Sequence, residues 1–390
     1  MPANEGGEEV VTFAGVGAVT GRPFPIAIDD GHSETKIAFL EKGRAGPLVL
    51  ASFPSRIVRG VAEVDAAGAV AANAYRTYES AADAGTAQGE VFMVVPRGRH
   101  AEEAGDNRTQ DYPTGERNRV LVHHAIHVAT KGAACDVEIG TTLPYSDFHL
   151  PVQGVHGTLN KRLIDAKKAN IARPVLAIDR QSLLDLPPTY TVRDHGIFSE
   201  GVAAFFDAML TLDETGAVAV NPAFAQRFEY ASSFAIVDIG GKTTDIVYGS
   251  WDGDPSEQPM INIGDSESLK AGALDAADTL ESLIKHEFNV RAVADRESAL
   301  LRRKISLYGA VRPIDGLVDR AVAPLAQKIR EAVYRKAEDG SGLALVLFCG
   351  GGSVLMQDEV AAMFNPALLH IPDEPRFANA RGILKMMLAE

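Results

Sequence analysis

Residues 28–39 read Ile-Asp-Asp-Gly-His-Ser-Glu-Thr-Lys-Ile-Ala-Phe, and residues 237–248 read Val-Asp-Ile-Gly-Gly-Lys-Thr-Thr-Asp-Ile-Val-Tyr. The two stretches align without a gap. Each is an apolar strand ending in Asp-x-Gly, then a short turn rich in Gly, Ser and Thr, then a second apolar strand. A chain that carries this unit twice is expected to hold two related domains facing one another. Turns of this kind offer backbone N–H groups and hydroxyls to phosphate oxygens, and an Asp beside them can hold Mg²⁺ through water. Two such turns, opposed, point to a clamp on a nucleotide triphosphate.

The chain has 390 residues, enough for two domains with their own cores. Hydrophobic residues make up 46% and charged residues 23%, an ordinary globular balance. A net charge of −14 argues against a nonspecific DNA-binding surface, which needs a basic footprint, but leaves room for a protein adaptor that meets DNA instead. Cys135 and Cys349 are the only cysteines. Both lie in apolar sequence and read as buried free thiols, which fits a reducing cytoplasm. The longest apolar runs fall short of the ~18 residues of a membrane span. Met1–Arg22 carries Glu5, Glu8 and Glu9 and no basic segment, so it reads as a partly disordered extension rather than a signal peptide.

Outward from the two turns, strands are expected at 25–29, 35–40, 48–53, 91–95, 136–143, 174–179, 234–238 and 343–349. Helices are expected at 119–131, with Gly132 as C-cap, and at 199–211, 266–288, 316–337 and 378–389. The polar stretch 97–119 reads as an exposed loop, and 161–171 as basic loop or helix. Strands and helices alternate in both halves, so the class is α/β.

Three turns and one carboxylate carry the candidate chemistry. In the first turn Gly31 lets the backbone bend towards a phosphate, Ser33 offers a hydroxyl and Lys36 a point charge, although a plain hairpin with a solvated Lys has the same sequence. In the second, Asp238 precedes Gly240 and Gly241, and Thr243 and Thr244 can donate to phosphate oxygens; a hairpin with a Gly bulge is the bland alternative. The third, Gly350-Gly351-Gly352-Ser353, follows an apolar strand and leads into a helix, where backbone can approach a ring or a phosphate. Glu200, at the expected start of a helix, could orient or deprotonate a water in line with a γ-phosphate, or could simply suit a first helical turn. His123 and His127 share a helical face but lack a third ligand, so a packed or surface face is the better reading. Lys167-Lys168, with Asn170 and Arg173, reads as a solvated basic face.

This set of turns resembles the actin/Hsp70/sugar-kinase superfamily, and within it the bacterial plasmid-segregation actins of the ParM/StbA type. Val122-His123-His124-Ala125-Ile126, Thr142-Leu143-Pro144, Lys167-Lys168-Ala169-Asn170 and Ile263-Gly264-Asp265-Ser266 extend the likeness, which spans about Phe24 to Leu388. The resemblance implies two actin-like (RNase H-like) α/β domains around a nucleotide cleft, each with a mixed five-stranded sheet and an inserted smaller subdomain. On this reading 1–23 is an extension, 24–200 the first domain with an insertion at 41–118, and 201–360 the second with an insertion at 266–340. The segment 361–390 then returns to the first domain. It also implies roles. Asp29 and Asp238 are the Mg²⁺-side carboxylates, holding the ion through water. Gly31, Ser33, Lys36, Gly240, Gly241, Thr243 and Thr244 clamp the phosphates of ATP or GTP. Glu200 positions the attacking water, and Gly350, Gly351 and Gly352, with Asp265, line the adenosine pocket. The expected activity is filament-coupled ATP hydrolysis in the cytoplasm. Expected partners are further copies of the chain and a DNA-bound adaptor, without direct nucleic-acid or membrane contact. The rival readings are a small-molecule kinase of the same superfamily and a non-dynamic filament protein.

Overall fold

In the computed structural model the described residues are 21–61, 73–84, 89–96, 109, 111–152, 155–337, 340–356, 359, 362 and 364–389, the side chains of 151–152 and 155–158 excepted. The expected extension lies outside them up to residue 20, as does most of the polar loop over 97–110.

The repeated unit builds the same sheet twice. In domain I, β1 (Phe24–Asp30), β2 (Glu34–Leu40), β3 (Leu48–Pro54), β7 (Cys135–Leu143) and β12 (Tyr190–Ser199) form a five-stranded sheet in the order β12-β7-β1-β2-β3. In domain II, β15 (Ser233–Ile239), β16 (Thr244–Ser250), β17 (Met260–Leu269), β20 (Leu343–Cys349) and β21 (Leu369–His370) take the order β17-β16-β15-β20-β21. Each first hairpin is antiparallel, and each first strand is then joined in parallel by a later one. Asp29 pairs with Lys36 in one hairpin, and Asp238 with Asp245 at the matching place in the other.

Period-two alternation decides what covers each face. Phe24, Ile26 and Ile28 pack under α1 (Glu116–Thr130), whereas Ala27 faces α10 (Ala378–Ala389). Ala235, Val237 and Ile239 pack under α6 (Ala273–Phe288) and α8 (Asp315–Ala337), joined there by α7 (Arg296–Arg302). Phe234 and Ile236 meet α4 (Val202–Met209) on the opposite face. Helix α4 lies between the two domains: Phe205 packs on the domain II sheet, and Ala203 packs with α10 and the domain I sheet.

A second five-stranded sheet, order β11-β10-β5-β6-β4, is made of β4 (Ile57–Arg59), β5 (Ala74–Thr77), β6 (Glu90–Val94), β10 (Val175–Ile178) and β11 (Asp185–Leu186). The inserted subdomain is therefore not confined to 41–118, because β10 returns from far along the chain to pair with β5. Short hairpins are β8 (His149–Val152) with β9 (Val155–Leu159), β13 (Leu210–Leu212) with β14 (Val218–Val220), and β18 (Lys304–Leu307) with β19 (Ala310–Pro313). The remaining helices are α2 (Tyr145–Phe148), α3 (Lys161–Ile171), α5 (Pro222–Ala225) and α9 (Gly351–Leu355). No described helix is long and apolar enough to cross a membrane.

Several expectations need correction. The helix expected over 199–211 is shorter, because Ser199 ends β12 and Leu210 starts β13. Ser266–Leu269 belongs to strand β17, whose pairing with β16 outweighs its helical spacing. Within 97–119, residues from Tyr112 onward are a short 3-10 turn and the start of α1, with Tyr112, Asn118 and Arg119 buried. The end of α1 has two consecutive left-handed residues, Lys131 at the C-cap (φ +50°) and the expected Gly132 after it (φ +75°). Leu369–His370 joins domain II, so the return to domain I comes only with α10. Cys349 is a buried free thiol, but Cys135 is partly exposed.

Helices α4 and α10 touch at backbone distance: a Cβ on Gly382 would stand 1.8 Å from the Ala203 carbonyl oxygen. Buried salt bridges from Arg381 and Lys385 to Asp207 clamp the same pair. Gly382→Ala should therefore destabilise the protein by about 1–3 kcal/mol despite alanine's better helix propensity. Urea unfolding measures this, and an unchanged midpoint would contradict the close packing.

Candidate functional site

The ends of β1 and β15 bring their turns face to face. In the first turn, the Ser55 hydroxyl donates to the Gly31 carbonyl at 2.6 Å. In the second, Gly240 N–H donates to the Thr243 carbonyl at 2.9 Å. The first amides of α6, Ala273 and Leu274, bond to the Gly240 and Gly241 carbonyls, which locks that helix onto the turn. A Cβ on Gly241 would lie 2.9 Å from the Ser33 hydroxyl and 3.3 Å from its N–H, so the two turns approach to contact distance. The strand β20 ends beside them. Gly350 has φ +82°, and a Cβ there would meet the Asp238 carboxylate at 2.3 Å; only glycine combines this conformation with this approach.

These turns border one cleft with about 800 Å³ of empty space, continuous with solvent. Asp29, Gly31, Ser33, Lys36, Glu200 and Asp238 line it. So do Gly240, Gly241, Thr243 and the glycines 350–352. Two of the expected residues are elsewhere. Thr244 is buried in β16 and its hydroxyl donates to the Ala271 carbonyl at 2.9 Å, so it supports the turn and does not face a ligand. Asp265 sits on β17 away from the cleft, paired with Lys336 at 2.8 Å. Period-two alternation turns the Thr244 side chain away from the side that Thr243 presents.

The electrostatics are set by crowded, desolvated carboxylates. Asp29 is buried and its pKa is raised by burial and by Asp30 and Glu34, against the pull of Lys36 at 3.0 Å. Burial opposes the charge of Lys36, but Asp29, Glu34 and Asp238 outweigh it and raise its pKa. Burial, with Asp29 adding to it, lifts Asp238 to about 6. Asp245 is lifted to about 7 by burial, with Asp238 and Asp147 adding to it. Glu200 follows β12 in a turn, not in a helix; its N–H bonds to the Leu143 carbonyl, and Gly201, at φ +73°, begins the turn into α4. Burial and then Asp29, Asp245 and Asp238 hold its carboxyl well above the usual range. Among the described residues no hydrogen bond reaches the Glu200 carboxylate, and Glu200 lines the cleft.

Residues outside the motifs hold this arrangement. Asn379, at the start of α10, donates to Asp238 at 2.7 Å and accepts from Gly201 N–H at 3.0 Å. One amide thus ties the second turn to the backbone that follows Glu200. Asp30 is buried and held charged by Lys167, with Asn118 and the Thr142 N–H adding bonds. Lys167 is buried, which overturns its reading as part of a solvated face; Lys168 remains exposed. Asp245 accepts from the Tyr145 N–H at 2.8 Å and from the Ser268 hydroxyl. Arg56, in the connection between β3 and β4, pairs with Glu297 of α7 at 3.2 Å and so joins domain I to domain II. Lys242, the unassigned position inside the second motif, also lines the cleft. A gap-free motif could have flagged Lys242, whereas nothing local marks Asn379 or Lys167. His123 bonds to Tyr190 and to the Ile171 carbonyl, both ring nitrogens engaged, while His127 is exposed.

The clustered carboxylates are short of positive charge, with Lys36 buried among them and Lys242 at the lining. That imbalance suits a bound cation. Among the described residues no three His, Cys, Asp or Glu side chains converge into a metal cage. A hard cation that keeps its waters and shares phosphate oxygens, as Mg²⁺ does, fits this donor set better than one needing an all-protein shell.

Comparison with known proteins agrees with this geometry. The profile of a family described as archaeal actin homologue MreB-like, C-terminal, matches residues 236–362. No curated protein matches the sequence. Among solved structures, the archaeal actin homologue Ta0583 superposes with TM-score 0.65 at 17% identity, over 94% of this chain and 100% of that one. A ParM subunit from a 15-stranded Clostridium botulinum filament gives 0.69 at 17% identity, over 93% and 98%. Bacillus thuringiensis ParM with AMPPNP gives 0.61 at 16% identity, over 93% and 97%. The chain has the actin-like fold: two related α/β domains around a cleft.

An acid whose folded pKa is raised keeps its proton longer in the folded protein, so its contribution to stability is lost as pH rises through that pKa. For Asp238 the window runs from the ordinary 3.8 to about 6. Asp238→Asn should stabilise the nucleotide-free protein by about 1–3 kcal/mol at pH 7 and hardly at all at pH 4. Buried His123 and His124 and half-buried His195, lowered mainly by desolvation, act in the opposite direction, so the test is the difference between variant and wild type at each pH. A pH-independent difference would refute the assignment.

Proposed function

We propose that this chain is an actin-like ATPase that binds ATP, or GTP, with Mg²⁺ in the cleft, polymerises, and hydrolyses the nucleotide within the filament. The observation that carries the reading is the contact of two Asp-Gly turns from duplicated sheets, with Glu200 lining the same crevice. Ta0583 has been solved with ADP and a ParM with AMPPNP, which supports a nucleotide for this cleft as well.

In this reading backbone N–H groups and hydroxyls of Ser33 and Thr243, with Gly31, Gly240 and Gly241, receive the phosphates, and Lys36 supplies charge. Asp29 and Asp238 would hold Mg²⁺ through its waters, and the metal would supply charge neutralisation at the phosphates. Glu200, free of competing hydrogen bonds and with a raised pKa, orients a water and takes its proton. The glycines 350–352, packed against Asp238 and Ile239 at Gly350 and Gly352 and open at Gly351, leave room for the adenosine end. Assembly into filaments and release after hydrolysis would serve plasmid or replicon partitioning through a DNA-bound adaptor. The net charge of −14 favours such an adaptor over direct DNA contact.

Glu200→Gln keeps the side chain's shape and removes its basicity. Turnover should fall about 10²-fold or more, with nucleotide affinity within about threefold of wild type. Phosphate release and fluorescent-nucleotide titration measure the two quantities. Unchanged turnover removes Glu200 from its role, and failure of the wild-type protein to bind nucleotide removes the whole reading.

A further inference from the structure

The gap-free repeat fixes which residue of one turn stands where a given residue of the other does. Asp29 matches Asp238 and Gly31 matches Gly240, so Ser33 matches Lys242 and Lys36 matches Asp245. The lysine has changed place between the two copies. In the first it lies on β2 opposite Asp29, and the two form a buried ion pair at 3.0 Å. In the second that strand position holds an acid, Asp245, and the lysine stands in the turn itself, where the first copy has Ser33.

That place is where the two turns meet. A Cβ on Gly241, the neighbour of Lys242, would lie 2.9 Å from the Ser33 hydroxyl. Lys242 is half-buried and lines the cleft. Among the described lining residues only Lys36 and Lys242 carry a fixed positive charge, and Asp29 already holds Lys36. Asp29, Glu200 and Asp238 line the same cleft, yet among the described residues no carboxylate stands within ion-pair distance of Lys242. The acid that feels its charge is the half-buried Asp147 of α2: burial raises that carboxyl's pKa, and Lys242, then Lys167 and Lys270, pull it back. Asp147 shares the field of three lysines and forms no ion pair with any of them among the described residues, so Lys242 is not committed to it.

We propose that Lys242 takes the terminal phosphate of a bound nucleoside triphosphate, telling triphosphate from diphosphate and stabilising the charge on that group as it is cleaved. This rests on the nucleotide reading above and gives a role to the one position of the second turn that the reading leaves unassigned. The turns otherwise offer neutral N–H and hydroxyl donors, whereas an ammonium brings a full charge whose pull grows with the negative charge it meets. A triphosphate carries more of that charge than a diphosphate. In cleavage, water adds to the terminal phosphorus and gives a proton to Glu200. The bond from that phosphorus to the bridging oxygen breaks, and its electron pair leaves with the diphosphate. A cation fixed at the transferring group's oxygens lowers the barrier to this step.

Lys242→Gln removes the charge and keeps most of the side chain's reach, and Lys242→Arg keeps the charge. Titration with AMPPNP and with ADP, each with Mg²⁺, separates the terminal phosphate from the rest of the nucleotide. Lys242→Gln should weaken AMPPNP binding about tenfold or more and ADP binding by less than about threefold. At saturating ATP it should slow phosphate release about tenfold or more. Lys242→Arg should recover most of both losses. If Lys242→Gln weakens AMPPNP and ADP equally, or changes neither, this inference alone is overturned, because the wild-type chain still binds nucleotide. A wild-type chain that binds neither overturns both it and the nucleotide reading.

Discussion

Like charges buried around one crevice are the constraint that the rest of the molecule answers. Asp29, Asp238 and Glu200 line it, and with the buried Asp245 beside Asp238 they form a poorly solvated group in which Asp29 raises the proton affinity of Asp238, Asp238 that of Asp245, and all three that of Glu200. Left alone, such a cluster would protonate or loosen the fold. Lys36 answers part of it, Asn379 and the Tyr145 N–H answer another part by donating to Asp238 and Asp245. The remainder is an unmet need for positive charge, and that need is the chemical identity of the cleft.

Duplication supplied the two turns, and divergence made them unequal. The residue opposite Asp29 is Lys36, while the residue opposite Asp238 is Asp245. The first turn is therefore neutralised within its own hairpin, and Asp30 beside it is neutralised by Lys167 from α3. The second carries two acids on neighbouring strands and relies on elements from elsewhere in the chain. Helix α10 matters for that reason. It packs on domain I but delivers Asn379 to Asp238, so the domains are tied at the carboxylate they are arranged around. Arg56 and Glu297 add a second tie between the domains. Both ties join segments far apart in sequence, and any opening of the cleft has to break or stretch them.

Local reading succeeded where the signal is local. The hairpins, the alternation of Phe234 to Ile239, the apolar run 343–349 and the Gly triplet are each contained in a few residues, and each forms the expected element. It failed where a distant partner decides. Ser266–Leu269 has helical spacing, but β16 offers it a ladder. Lys167 looks like half of a solvated pair until Asp30, 137 residues away, takes its charge. Asp265 sits in a segment that resembles the family, yet β17 carries it to the outer side of the domain.

What the amino-acid sequence determined on its own is the repeated unit: backbone preferences and apolar periodicity act over a few residues, so strand, Asp, Gly turn and strand are written in order. Only the tertiary structure decided which carboxylates share the crevice, that Thr244 turns inward while Thr243 faces it, and that Asn379 and Lys167 belong to the site. Those choices depend on burial and on charges brought together from remote parts of the chain. Desolvation and Coulomb energy come into existence only once the two sheets have closed on each other.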